Sequence, residues 1–495
     1  MSSIRVICGD KSFTVSFVSG EALLSTLRRA GFSIPAACGG RGKCGKCRVS
    51  VNGVSRLACL THPSDGDVVV LPESTGGVIL TDTVSISPAA SGEEGYAAAV
   101  DLGTTTIAVR LYELSTAQEL GTVSRWNAQA AYGADVISRI QFTVDEPDGL
   151  KTLSEIIRRQ VSELIERLMQ GRKERELKAV VIAGNTVMQH IFAGYPVKSI
   201  AVAPFKPETL FRQTCSDRLN GAPVYYCPCV AGYVGGDITA GLLASGLYEK
   251  DGCCLFLDIG TNGEMAIGGR DGFDCCAVAS GPAFEGAGIS CGMAGVDGAI
   301  SHVKYDNGFL YDVIGSTSPR GLCGSGLIDL IAVLIGLGCI DEGGRLLPPN
   351  DVPGKMRRYI TADANGNGVF HLTQEVFLTA EDVRNLQLAK SAVAAGVQVL
   401  LDARGLSAGQ LDGVYIAGGF GTYIDIDSAM RIGMLPMLDR ARLHCPGNTS
   451  LAGASMAALS ESARAELLRI AEKCEYIELS GSSDFIKHFT ENMTF

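Results

Sequence analysis

The sequence predicts an α/β protein in two parts: a small N-terminal sheet domain built around a cysteine loop, and a large C-terminal domain of two similar halves. Three observations lead there. Residues 38–47 read CGGRGKCGKC, and a fourth cysteine, Cys59, follows shortly after. A strand–Asp–x–Gly–Thr–strand unit occurs twice, in AAAVDLGTTTIAVRLYE at 97–113 and CCLFLDIGTNGEMAIG at 253–268. Near the end, LDGVYIAGGFGTYID at 411–425 is a strand that runs into three glycines.

The first element is the cysteine loop. SIRVIC and SFTVSF predict two strands, EALLSTLRRAG a short helix ending at glycine, and CRVSV and DVVVL two more strands. Cys38, Cys44, Cys47 and Cys59 are spaced C-x5-C-x2-C-x11-C, a set of four thiolates suited to a [2Fe–2S] cluster. The loop glycines let the backbone curl tightly and bring N–H groups close to sulfur. Zinc is the competing ligand, but zinc knots usually pair two C-x2-C hairpins and only one is present. The order of elements resembles a β-grasp [2Fe–2S] ferredoxin, and the five-residue first gap resembles its adrenodoxin-like branch. This domain is expected over residues 1–72. A Ser-, Gly-, Thr- and Pro-rich stretch without periodicity predicts a flexible linker over 73–95.

The repeated unit comes next, with its two halves expected at 96–245 and 246–495. A supersecondary unit that recurs at long interval is a strong sign of duplication. The strands end at Asp101 and Asp258, carboxylates able to hold Mg²⁺ through water. Gly103, Thr104, Thr105 and Thr106 in one copy, and Gly260, Thr261 and Asn262 in the other, offer N–H groups and hydroxyls to phosphate oxygens. Gly418, Gly419 and Gly421 let a nucleoside lie against the backbone. The three motifs in this order resemble the ASKHA superfamily of acetate and sugar kinases, Hsp70 and actin. That resemblance implies two RNase H-like lobes with ATP between them.

Other segments fit this architecture. Apolar spacing predicts helices over 152–170 and over TAEDVRNLQLAKSAVAAGVQVLLDARG, the latter opening on a T-x-x-D cap. Both are expected to be scaffolding. VIAGNTVMQH ends a strand at Gly–Asn–Thr, where Asn185 is placed to orient a phosphate or the attacking water; a plain strand-end turn explains it equally. Glu264 is a second candidate for the water. The glycine-rich ASGPAFEGAGISCGMAG borders either nucleotide or an ordinary turn. The six histidines are scattered and read as structural.

Composition narrows the setting. The 495 residues suffice for about three domains, and 46 % hydrophobic content supplies large cores. MSSIRVICGD lacks a signal pattern and no apolar run spans a bilayer, so a cytoplasmic protein without membrane or nucleic-acid partner is expected. Thirteen of the 17 cysteines lie outside the cluster set, including Cys227 and Cys229 and the pairs 253–254 and 275–276. Without a secretory leader they are expected as small buried hydrophobes rather than disulfides, in a composition that suits an anaerobe. The net charge of −11 is split into +7 for residues 1–60 and −18 for the rest. The split is either a matter of solubility alone or a device that steers an acidic electron carrier to the N-terminal end.

Taken whole, CGGRGKCGKC with Cys59, then DLGTTT, YGADVISRI, AGNTVM, LDIGTNGE, SGPAFEGA and AGGFGTYID, resembles the reductive activators of corrinoid proteins. That resemblance implies one-electron, ATP-dependent reduction of an inactive cobalt(II) corrinoid protein to cobalt(I) in a methyltransferase system. It implies a reduced ferredoxin or flavodoxin as donor and allows a homodimer. The linker leaves no room for an extra middle domain, and the C-terminal cysteine clusters of archaeal activators are missing. For one electron, about 59 mV is a tenfold change in equilibrium, so several kcal/mol from ATP spans a gap of a few hundred millivolts. Two alternatives stand beside this reading: an activator of another low-potential enzyme, of the 2-hydroxyacyl-CoA dehydratase type, and a small-molecule kinase with a redox-sensing ferredoxin domain. A nucleotide-gated binding module that senses redox state is a third.

Overall fold

The computed structural model describes residues 2–8, 11–30, 32, 34, 47–71, 93–172, 176–213, 215–260 and 262–495. Cys38, Cys44, Thr261 and nearly all of the expected linker lie outside the described residues.

The N-terminal domain is a five-stranded sheet, ordered Lys11–Ser16, Ser3–Cys8, Val68–Val70, Arg48–Val51 and Val54–Leu57. Ser3–Cys8 and Val68–Val70 run parallel at its centre, as a β-grasp requires. Strand alternation turns Ile4, Val6, Val49, Val51 and Val69 to one face, where Leu23, Leu24 and Leu27 of the helix Leu23–Arg29 cover them. The edge strand Val54–Leu57 was not anticipated. Three of its four residues are exposed, so it carries no apolar alternation to read.

The large domain repeats one topology. In lobe I, Glu119–Trp126, Thr106–Glu113 and Tyr96–Leu102 form an antiparallel meander. Leu177–Ala183 and Ala222–Tyr226 then add in parallel. In lobe II, Gly272–Val278, Gly263–Gly269 and Cys254–Ile259 form the same meander, followed in parallel by Gly413–Ala417 and Leu443–Gly447. Short edge strands, Arg218–Leu219 and Cys474–Tyr476, complete two six-stranded sheets. This is the duplicated RNase H-like architecture, and each repeated hairpin sits at the middle of its sheet.

The two expected helices cover the outer faces. Gly149–Leu168 buries Leu153, Ile157, Val161, Leu164 and Ile165 against lobe I. Ala380–Arg404 packs on the lobe II meander. Its start is the anticipated cap: the Thr379 side chain accepts from the Asp382 N–H, and Asp382 accepts in return from the Thr379 N–H.

Two further helices, Gly236–Ser245 and Thr449–Leu459, lie between the sheets and share one core with Ala97, Ala99, Phe256 and Ala266. They cross closely. A Cβ on Gly453 would stand 2.1 Å from the Ala240 carbonyl oxygen. Among the described residues no helix is long and apolar enough to cross a membrane. Cys227, Cys229, Cys254, Cys275 and Cys276 are buried, unpaired thiols. Burial is the leading cause that pushes Cys227 and Cys276 above the usual thiol range, and it lifts Cys229 to about 12. These five behave as apolar side chains, as expected, but Cys445 of the same set is exposed and Cys8, Cys215, Cys253 and Cys291 are half-buried.

Candidate nucleotide cleft and cluster site

A cleft of about 410 Å³ opens where the two hairpins face each other. That volume is in the range of small-molecule sites. Asp101 with Gly103 through Thr106 line one side, and Asp258, Gly260, Asn262 and Glu264 the other. Asn185, Gly418 and Gly419 complete the set brought together. Gly421 does not line the cleft. It is buried one turn below, where a Cβ would stand 2.3 Å from the Ile416 carbonyl oxygen, so its role is close helix–strand packing.

The first loop is held from several directions. Asn127 donates to the Gly103 carbonyl at 2.9 Å, and Arg139 to the Thr104 carbonyl at 2.5 Å. Asn185 donates to the Thr104 hydroxyl at 3.0 Å while its own oxygen caps the helix Thr186–Ala193. Asn185 is therefore both a strand-end cap and part of the cleft wall. Across the cleft, Glu285 of the glycine-rich 279–295 segment accepts from the Thr105 hydroxyl at 3.3 Å. At Gly418 the backbone has φ +81°, and a Cβ would stand 2.7 Å from Asp258 Oδ1. Only glycine allows both the turn and the approach.

Four carboxyl groups are crowded here. Burial raises Asp101 above its ordinary value against the pull of hydrogen bonds from Asn448 and Ser450. Burial, with the charge of Asp101, raises Asp258 to about 6. Asp237 rises to about 8 through burial and the charges of Asp258 and Asp101. Glu264 is held well above the carboxylate range by burial and by Asp237 and Asp258. Such a set is relieved by a divalent cation as well as by protons. No three His, Cys, Asp or Glu side chains among the described residues converge to cage a metal unaided.

Sequence reasoning missed Asp237, Arg139, Asn448 and Ser450. Gly447–Asn448–Thr449 repeats the tripeptide of Gly184–Asn185–Thr186, again with the asparagine capping a helix after a strand, and that repeat was readable. Arg139 lies in YGADVISRI as a fully buried cation, lowered to about 9 by burial. It spends its donors on the Thr104 and Gly133 carbonyls and on Gln129.

In the N-terminal domain, Cys47 and Cys59 bring their sulfurs to 3.2 Å, with Cys47 buried and Cys59 partly so. Thiolates that close fit two ligands of one metal atom. Cys38 and Cys44 lie outside the described residues.

Comparison with known proteins places this pairing of domains. Residues 6–64 match the 2Fe-2S iron-sulfur cluster binding domain, 96–250 the RACo middle region, and 252–495 the C-terminal domain of RACo, the ASKHA domain. The segment expected as the first ASKHA lobe is thus the part matched by the middle-region family, which corrects the expectation that the chain has no room for a middle domain. The corrinoid activation enzyme RamQ of Eubacterium limosum is 32 % identical over 424 residues, 81 % of this chain and 70 % of that protein. The chain belongs to the reductive activators of corrinoid proteins. A solved structure of this family, the reductive activator for corrinoid, iron-sulfur protein, superposes with a TM-score of 0.71 at 31 % identity, over 99 % of this chain and 98 % of that one. A more distant relative, the [Co(II) methylated amine-specific corrinoid protein] reductase of Methanosarcina barkeri, is 25 % identical over 79 % of this chain and 75 % of that protein. The reductive activators therefore account for both ends of the chain, the iron-sulfur domain and the ASKHA domain.

Proposed function

We propose that this activator uses ATP to drive one electron from its [2Fe–2S] cluster onto the cobalt(II) of an inactive corrinoid protein, restoring cobalt(I). The observation that carries the proposal is the presence in one chain of a cluster domain and a two-lobed cleft, matched along almost its whole length by a reductive activator. When bound, the cluster supplies a one-electron carrier. Cys38, Cys44, Cys47 and Cys59 hold it, and a reduced ferredoxin or flavodoxin refills it. Domains 1–72, 96–245 and 246–495, joined by the 73–95 linker, divide electron handling from nucleotide handling.

ATP sits in the cleft with its phosphates between Gly103–Thr106 and Gly260–Asn262 and its adenosine against Gly418 and Gly419. Asp258 and its neighbours would receive Mg²⁺. Asn185, fixed by its cap, orients the phosphate side, and Glu264 faces the water. The nucleotide state biases the angle of the lobes, and differential affinity of the two angles for the corrinoid protein carries the coupling. Two activator chains assembling as a homodimer is compatible with this scheme.

The test is anaerobic visible spectroscopy of a cobalt(II) corrinoid protein from the same cells, with this protein and a mild reductant, with and without Mg-ATP. Growth of the cobalt(I) band only with ATP, and its loss in Cys44→Ser, is expected. An intact cluster and a matched partner that give no cobalt(I) would move the protein to the dehydratase-type activators or to the kinases.

A further inference from the structure

The two hairpin aspartates are equivalent in topology and unequal in surroundings. Asp101 and Asp258 each lie near the end of the strand at the centre of their sheet, paired on one side with the meander and on the other with a parallel strand. Each is also met by the start of a helix exchanged from the other lobe. Thr449–Leu459 leaves the lobe II strand Leu443–Gly447 but packs on the lobe I strands Tyr96–Leu102 and Leu177–Ala183. Gly236–Ser245 follows the lobe I strand Ala222–Tyr226 and reaches the lobe II sheet, where Gly241 sits on Phe256.

The two exchanged helices bring opposite chemistry. At Asp101 the arriving turn supplies donors: Asn448 Nδ2 to Oδ2 and Ser450 Oγ to Oδ1, both at 2.8 Å. At Asp258 the arriving turn supplies an acid, Asp237, whose Oδ1 accepts the Ile238 N–H at 2.9 Å. Asp258 makes no side-chain hydrogen bond among the described residues. A cation drawn directly onto Asp101 would strip it of two donors, one of them on the buried Ser450, and an unpaired buried donor is costly. A cation at Asp258 orphans nothing and relieves the repulsion with Asp237 and Glu264.

We propose that the two aspartates divide the work: Asp258 takes the cation that accompanies the nucleotide, and Asp101 is a positioning residue that ties lobe I to the helix Thr449–Leu459. Through Asn448 and Ser450, Asp101 passes the state of the phosphate loop to the helix between the lobes. This rests on the nucleotide reading above.

The experiment uses the full-length protein with ADP and Mn²⁺ in place of Mg²⁺. Free Mn²⁺ is counted by electron paramagnetic resonance, and amide exchange is followed over residues 449–459 with and without ADP. Asp258→Asn is expected to weaken Mn²⁺ binding about tenfold or more, while Asp101→Asn and Ser450→Ala stay within about threefold and lose the ADP-dependent change in exchange. Ser450→Ala leaves the helix cap intact, because that cap is made by Asn448. Asp101→Asn matching Asp258→Asn in lost Mn²⁺, or Ser450→Ala keeping the ADP-dependent change, overturns the division of labour. Wild-type protein that takes up no Mn²⁺ with ADP overturns the nucleotide reading itself.

Discussion

Arg139 shows how much one side chain organises. It is fully buried, feels the charges of Asp135 and Glu285, and directs its guanidinium to the Thr104 and Gly133 carbonyls and Gln129. Arg139→Ala leaves those acceptors unpaired at about 1–3 kcal/mol each and frees the first phosphate loop. ATP-analogue affinity measured by titration calorimetry should fall about tenfold or more. The carboxyl crowd makes a second prediction at this scale. Asp258 and Asp237 are raised in the folded chain, to about 6 and about 8, above an unfolded value near 3.8. Their contribution to stability is complete below that unfolded value and is lost as pH rises through the folded values. The melting temperature of the nucleotide-free protein should therefore fall as pH rises from about 4 to about 8, and Mg²⁺ with ADP should flatten the fall. A slope that ignores Mg²⁺ and ADP would place the effect elsewhere.

Among elements, the short helix Gly418–Tyr423 depends most on a single residue. Gly418→Ala puts a methyl group 2.7 Å from Asp258 Oδ1 at a φ of +81°. Strain of about 1–3 kcal/mol is expected there. The variant should keep its secondary structure by circular dichroism and lose most nucleotide binding. What the sequence made legible follows element type. The hairpins at Asp101 and Asp258, the Thr379 cap and the helix over Leu153–Leu168 were readable because each is set by neighbours within a few residues. The spacing marked Cys47 and Cys59 as members of one set of four, though not as neighbours. The Gly447–Asn448–Thr449 repeat was readable as a helix cap, but the contacts of Asn448 and Ser450 with Asp101, and the role of Asp237, were not. Their meaning depends on the two exchanged helices, one of which carries Asn448 to Asp101, 347 residues away in sequence, while the other carries Asp237. Arg139 looked like an ordinary polar residue in an amphipathic helix, because nothing local marks a cation as buried.

Over the whole molecule, charge separates the two functions. Residues 1–60 carry +7 and the remainder −18. Reduction of the cluster by an acidic carrier protein should slow steeply as ionic strength rises, since exposed charges are screened within about 8 Å at 0.15 M salt. Reduction by dithionite should show no such domain-directed steering, and stopped-flow absorbance compares the two. The exchanged helices carry a final consequence. Where they cross, Gly453 rests on the Ala240 backbone, too close for any side chain at 453 to stand between the helices. Interlocked side chains would act as gear teeth and hold the helices at fixed registers. This crossing is a smooth bearing instead. Under the coupling proposed above, such a bearing would let the lobes swivel through small angles without parting, and the stroke would be a rotation.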